Sequence, residues 1–85
     1  MPRYHFNLED GESVLDPEGT ELPNLTVARS EAVRMAGRLL EDNPASIWAQ
    51  GDWRMVVTDD AGVVLFTLSI AAMEAAENAA ANDRR

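Results

Sequence analysis

One histidine, His5, is the only side chain of this 85-residue chain that ordinarily changes charge close to neutral pH. An imidazole works as a general base when a partner orients it beside a substrate pocket. His5 sits between Tyr4 and Phe6 in an alternating stretch, on the face opposite both. No partner for it is identifiable by spacing, and no Ser/His/Asp arrangement can be assigned. It reads as an ordinary surface histidine, and no catalytic residue is expected. Asp10, Asp59 and Asp60 fall at turn signals, where aspartate commonly bonds its own backbone. A calcium site takes roughly six to eight oxygen ligands, and no stretch carries the spacing of an EF-hand loop. Asp59-Asp60 alone is too little, so no metal is expected. No glycine-rich phosphate loop is present, so no cofactor is expected either. The chain contains no cysteine, which excludes disulfides, thiolate metal sites and cysteine nucleophiles.

The charges argue about partners. The formal net charge is −8. Residues 1–23 hold Glu9, Asp10, Glu12, Asp16, Glu18 and Glu21 against Arg3 alone. Clustered positive charge is what a phosphate backbone rewards, so direct nucleic-acid binding is not expected. An acidic surface suits either solubility or a basic protein partner. No run approaches the roughly 20 apolar residues that span a bilayer. The N-terminus has no apolar core of a secretory signal. A cytoplasmic location without a membrane partner is the expectation.

The elements that must position these residues are legible as periodicities. Residues 3–9 alternate Tyr4, Phe6 and Leu8 with polar neighbours, the pattern of a half-buried strand. Asp10-Gly11 marks a turn. A short second strand is expected over residues 13–16, with Val14 or Leu15 inward, and Pro17-Glu18-Gly19 ends it. A helix is expected over residues 25–42, with Asn24 as N-cap. Its stripe is Leu25, Ala28, Ala32, Met35, Ala36 and Leu39. Gly37 is a weak point that would permit close approach to a strand. Asn43-Pro44 stops the helix, and residues 45–52 read as an irregular connection. Strands follow over residues 53–59 and 63–69. Trp53, Met55 and Val57 form one face, and Val64, Phe66, Leu68 and Ile70 the matching one. The alanine-rich stretch of residues 70–81 reads as a terminal helix capped by Ser69, with Ile70, Met73, Ala76 and Ala80 as a weak stripe.

The result is an α+β domain, β-β-α-β-β, with a small antiparallel sheet and one long helix on one face. A strand order 2-1-3-4 follows from a right-handed crossover. Residues 1–72 form one domain, and 73–85 a helical or frayed tail.

The stretches Met1-Pro2-Arg3-Tyr4-His5-Phe6, Leu22-Pro23-Asn24-Leu25 and Trp53-Arg54-Met55-Val56-Val57-Thr58-Asp59 resemble a family of short bacterial proteins known only as a domain of unknown function. Asp10-Gly11 and Leu65-Phe66-Thr67-Leu68 belong to the same resemblance. Asn24 replaces the usual acid before the helix, and the alanine-rich tail is not shared. The resemblance implies the fold and transfers no activity, cofactor or catalytic residue.

On the sheet face away from the helix, Val56, Val63 and Leu65 form an apolar patch, and Trp48 is a further candidate. Such patches mark interaction sites. A cover is expected, either Met73 and Ala76 of the tail or a second subunit. The expected function is therefore non-catalytic protein–protein contact, with a homodimer as one form. The alternatives are an acidic regulator or decoy on a basic surface, and a small-ligand binder or enzyme using the loop over residues 47–53, from Ile47 to Trp53.

Overall fold

A computed structural model describes residues 1–75 of the chain. The order is β1 (Arg3–Glu9), β2 (Ser13–Val14), β3 (Thr20–Glu21), α1 (Leu25–Asp42), α2 (Pro44–Gln50), β4 (Asp52–Thr58) and β5 (Val64–Ala71). The sheet is antiparallel with the order β2-β1-β4-β5, and β3 pairs with the other end of β1. With β4 and β5 as the expected third and fourth strands, the order 2-1-3-4 holds. Among the described residues no helix is long and apolar enough to cross a membrane.

The core lies between the sheet and α1. Tyr4 and Phe6 of β1 and Trp53, Met55 and Val57 of β4 are buried on one face. Ala28, Ala32 and Ala36 meet them from the helix. Alanine at these positions removes side-chain bulk between helix and sheet, so the large residues come from the strands. Asn24 caps α1, its Oδ1 accepting from the Val27 N–H at 2.9 Å.

The buried row of α1 advances in steps of four from Ala28 through Ala36, and Leu40 continues it as a half-buried neighbour of the core. Leu39, expected in the stripe, is instead 40% exposed. Leu39→Ala is therefore expected to cost below about 1 kcal/mol rather than a full core truncation. Urea unfolding beside Leu40→Ala checks this, and Leu40 should be the more sensitive site. Gly37 also points away from the sheet, with open space where a Cβ would stand. Ala36, one residue earlier, holds the inward position.

Four further expectations are corrected. Residues 44–50 form α2 rather than an irregular loop. Pro44 supplies the fixed φ of a first helical turn, and burial of Ile47 against the core holds the short helix in place. Strand β2 spans only Ser13–Val14, and both Val14 and Leu15 are exposed, because the chain leaves the sheet at Leu15. Strand β5 runs on to Ala71, so Ser69 and Ile70 are strand residues and not the start of a helix. Ile70 pairs with Trp53, and the Ala72 N–H donates to the Gly51 carbonyl at 2.8 Å. Of the expected tail helix, Met73 is exposed without regular structure, and residues 76–81 lie outside the described residues.

The last correction concerns Val64. Val57 pairs with Phe66, but Thr58 pairs with Val64, so Leu65 is an extra residue in β5. This bulge shifts the alternation by one position. Val64 consequently shares the open face with Thr58 and is 56% exposed, instead of joining Phe66, Leu68 and Ile70 towards the helix.

Candidate functional site

On the open face of the sheet His5 has the partners that spacing did not reveal. Strand β1 directs it away from Tyr4 and Phe6. Its Nε2 lies 2.7 Å from Oδ1 of Asp60, in the turn between β4 and β5. Its Nδ1 lies 2.7 Å from the carbonyl oxygen of Asp16. A carbonyl and a carboxylate both accept. A neutral imidazole carries one N–H and satisfies only one of them, whereas an imidazolium donates to both. The hydrogen bond to Asp60 raises the pKa of His5 above its ordinary value, and the Asp16 carbonyl adds to the rise. Desolvation opposes both, without reversing them.

Asp16 fills a gap in the ladder. Strand β2 covers the C-terminal end of β1 and β3 its N-terminal end. Between them, Asp16 Oδ2 accepts from the Phe6 N–H at 3.1 Å, standing in for a strand carbonyl. Asp16 Oδ1 accepts from the Gly19 N–H at 3.1 Å, and the Asp16 N–H donates to Asn7 Oδ1 at 2.9 Å. Asn7 Nδ2 in turn donates to the Val56 carbonyl at 3.2 Å. Gly19 has φ +70°, and a Cβ there would stand 3.0 Å from the Tyr4 carbonyl and 2.9 Å from His5 Cε1. Only glycine closes this turn without displacing the backbone.

The turn that carries Asp60 is internally braced. Asp59 Oδ1 accepts from the Ala61 and Val63 N–H groups, each at 2.9 Å. The Asp59 N–H donates to the Val63 carbonyl at 3.0 Å. Asp59 thus performs the turn role expected of it, while Asp60 reaches His5. An open groove of about 450 Å³ runs between this turn and the Leu15 to Pro17 segment, floored by His5, Asn7 and Thr58. Among the described residues no set of three or more His, Asp, Glu or Cys side chains converges as a metal site. While both ring nitrogens donate, as the imidazolium, His5 has no lone pair for taking a substrate proton. What the arrangement does is tie β1, the Asp16 segment and the β4–β5 turn together.

The signal for part of this network is present in the sequence. Asp16-Pro17-Glu18-Gly19 has the composition of a turn closed by an aspartate side chain. The contact to Asp60 has no local signal, since it spans most of the chain.

The expected interaction residues lie on two parts of the fold, the β4–β5 hairpin and α2. Val56 is half-buried on the open face opposite Thr67. Leu65 sits in the bulge at 38% exposure, and Val63 closes the β4–β5 turn. Trp48 is 60% exposed on α2, a separate element from the β4–β5 hairpin bearing the other three. Ile47 and Trp53, which bound the expected ligand loop, are both buried in the core. A second cavity of about 270 Å³ lies between α1 and β5, lined by Arg29, Ala32, Val33, Phe66, Thr67 and Leu68.

No curated protein and no solved structure matches the chain. A family model described as "Domain of unknown function (DUF6894)" matches residues 3–72. Those residues begin with β1 and end one residue past β5, so the match takes in the whole sheet, both helices and every member of the His5 network. The chain belongs to the DUF6894 family.

Proposed function

We propose that this is a non-catalytic domain acting through protein–protein contact, as a homodimer joined along β5. The observation that carries the reading is the character of that edge. Strand β5 lies at one end of the sheet and spans eight residues with no charge, proline or glycine. Exposed edges of this kind offer unpaired N–H and C=O groups to another strand, and proteins normally blunt them with lysine, proline or a cover. The strand belongs to the uncharged run from Ala61 to Met73, the longest in the chain. Two copies that each carry −8 repel over most of their surfaces and can approach closely here.

Side-chain parity supports self-pairing. Opposite residues of an antiparallel pair share a face. A two-fold axis at Leu68 sets Phe66 against the partner's Ile70 on the helix side. It sets Thr67 against the partner's Ser69 on the open side. Apolar meets apolar and hydroxyl meets hydroxyl, and no charge meets a like charge. The apolar cavity between α1 and β5 adjoins the same edge, so a second strand would cover its Phe66 and Leu68 wall.

The other readings find less support. The acidic-decoy reading has the net charge of −8 behind it but no focus in the site, where Glu9 pairs with Arg54 at 3.0 Å, Glu21 with Arg3 at 3.0 Å, and Asp16, Asp59 and Asp60 serve the chain's own groups. A catalytic role for His5 meets the two occupied ring nitrogens. The loop of the ligand-binder reading is a helix followed by a strand, and neither cavity is lined by it.

Sedimentation across a concentration series tests the proposal. The protein is expected to dimerise. The double substitution Thr67→Lys and Ser69→Lys, at two exposed positions, would bring four like charges together across the two-fold axis. It is expected to give a folded monomer by far-UV circular dichroism. A wild-type protein that stays monomeric throughout, or a double variant that dimerises as well as wild type, would overturn the β5 pairing.

A further inference from the structure

The contacts of His5 join segments that are otherwise independent. The β4–β5 turn, over residues 59–63, has its own bracing through Asp59 and leaves the sheet just beyond the irregularity at Val57 and Thr58. The Asp16 segment is held to β1 by two bonds of its own, to Phe6 and Asn7, and a third, from the Gly19 N–H, closes its turn. Among the described residues only the imidazole bridges the two across the groove. We propose that His5 is a proton-controlled latch, whose imidazolium holds the β4–β5 turn against the Asp16 segment and whose neutral form releases the turn and widens the groove.

The side that yields follows from the geometry. When His5 loses a proton, one nitrogen presents a lone pair to an oxygen lone pair at 2.7 Å, and that contact must open. The Asp16 carbonyl cannot withdraw, because the carboxylate and N–H of the same residue are bonded into β1. Asp60 can withdraw. Its side chain is 70% exposed, and the structure assigns it no other partner among the described residues. The Nδ1–H tautomer, donating to Asp16, therefore remains, and Asp60 departs. Because Asp59 keeps the turn's internal bonds, the turn moves as a unit rather than unravelling.

The charged groups around the imidazole are few. The turn contributes Asp60 and Asp59, and the opposite segment contributes Asp16 and Glu18. On β1 itself Arg3 is the nearby cation, and it is engaged by Glu21 at 3.0 Å and by the Glu18 carbonyl at 2.9 Å. From β4, the residue opposite His5 is the uncharged Thr58. The surroundings are predominantly anionic, which agrees with the raised pKa of His5. The latch is therefore closed below the usual histidine value of about 6.5 and opens only at higher pH, as the folded-state pKa is passed.

Proton–nitrogen NMR spectra of the intact, isotope-labelled chain from about pH 5 to about pH 9 bracket that range. The Ala61, Gly62 and Val63 amides are expected to shift with the same midpoint as the His5 ring. Their relaxation order parameters are expected to fall above it. In Asp60→Asn the side-chain amide can donate to the neutral ring, so the same amides should stay ordered at both ends of the series. Should that variant fold poorly, the wild-type series decides alone. A turn whose amides ignore the His5 titration would overturn the latch, as would one that titrates yet stays equally ordered. Asp60→Asn behaving like wild type would do so too. None of these outcomes depends on whether β5 pairs with a second copy.

Discussion

Trp53→Ala is expected to lower the stability of the domain by about 3–5 kcal/mol, the range for removing a buried large aromatic. Trp53 lies on β4, 4% exposed, opposite Ile70 of β5 and within the cluster that α1 covers. Its removal leaves a void between the strand and the short helix α2, whose Ile47 is the neighbouring core residue from that side. Neither the two strands nor α2 can collapse into the void without breaking paired backbone. A chain of 85 residues has a total stability on the order of 4–13 kcal/mol. The substitution therefore consumes a large share of it, and part of the population should be unfolded near body temperature. Urea unfolding followed by far-UV circular dichroism measures the change. Trp48→Ala is the control: that indole is exposed and should move the midpoint by no more than about 0.5 kcal/mol. Equal effects at the two tryptophans would mean that the core is not where the fold places it.

Asp16→Ala is expected to cost about 1.5–3 kcal/mol, the range of a hydrogen bond to a charged group. The carboxylate satisfies two backbone donors, Phe6 and Gly19, in the gap that neither β2 nor β3 covers. Water can reach this partly exposed position, which keeps the loss below that of two fully buried bonds. Asp16→Asn should recover part of it, since the amide oxygen still accepts from one of the two donors. The substitution also loosens the segment that holds the Asp16 carbonyl against His5. The His5 pKa should therefore fall towards its ordinary value in Asp16→Ala, and an NMR titration of the ring reads this directly. An unchanged unfolding midpoint would show that the gap in the β1 ladder is filled by something other than this side chain.

The parts of the fold that depend on near neighbours were legible in the residues. Alternation in Tyr4, Phe6 and Leu8, and again in Trp53, Met55 and Val57, specifies half-buried strands because successive side chains point to opposite faces. Spacing of the alanines from Ala28 to Ala36, with Asn24 ahead of them, specifies α1 and its inward side. The order of the strands followed from the handedness of the crossover.

The tertiary structure decided the rest, for one physical reason: these features depend on contacts between residues far apart in the chain. Residues 70 and 71 have helical composition, yet pairing with Trp53 and Asp52 makes them strand. Asn43-Pro44 stops a helix, and residues 45–52 read as an irregular connection, yet burial of Ile47 makes a second helix of residues 44–50. Leu65 looks like an ordinary alternating residue until Thr58 pairs with Val64 and leaves it as a bulge. His5 shows the difference most plainly. Its strand and its face were set by its immediate neighbours, but its charge state depends on Asp60, 55 residues away, and on the Asp16 carbonyl, held in place by the hydrogen bonds that tie Asp16 into β1.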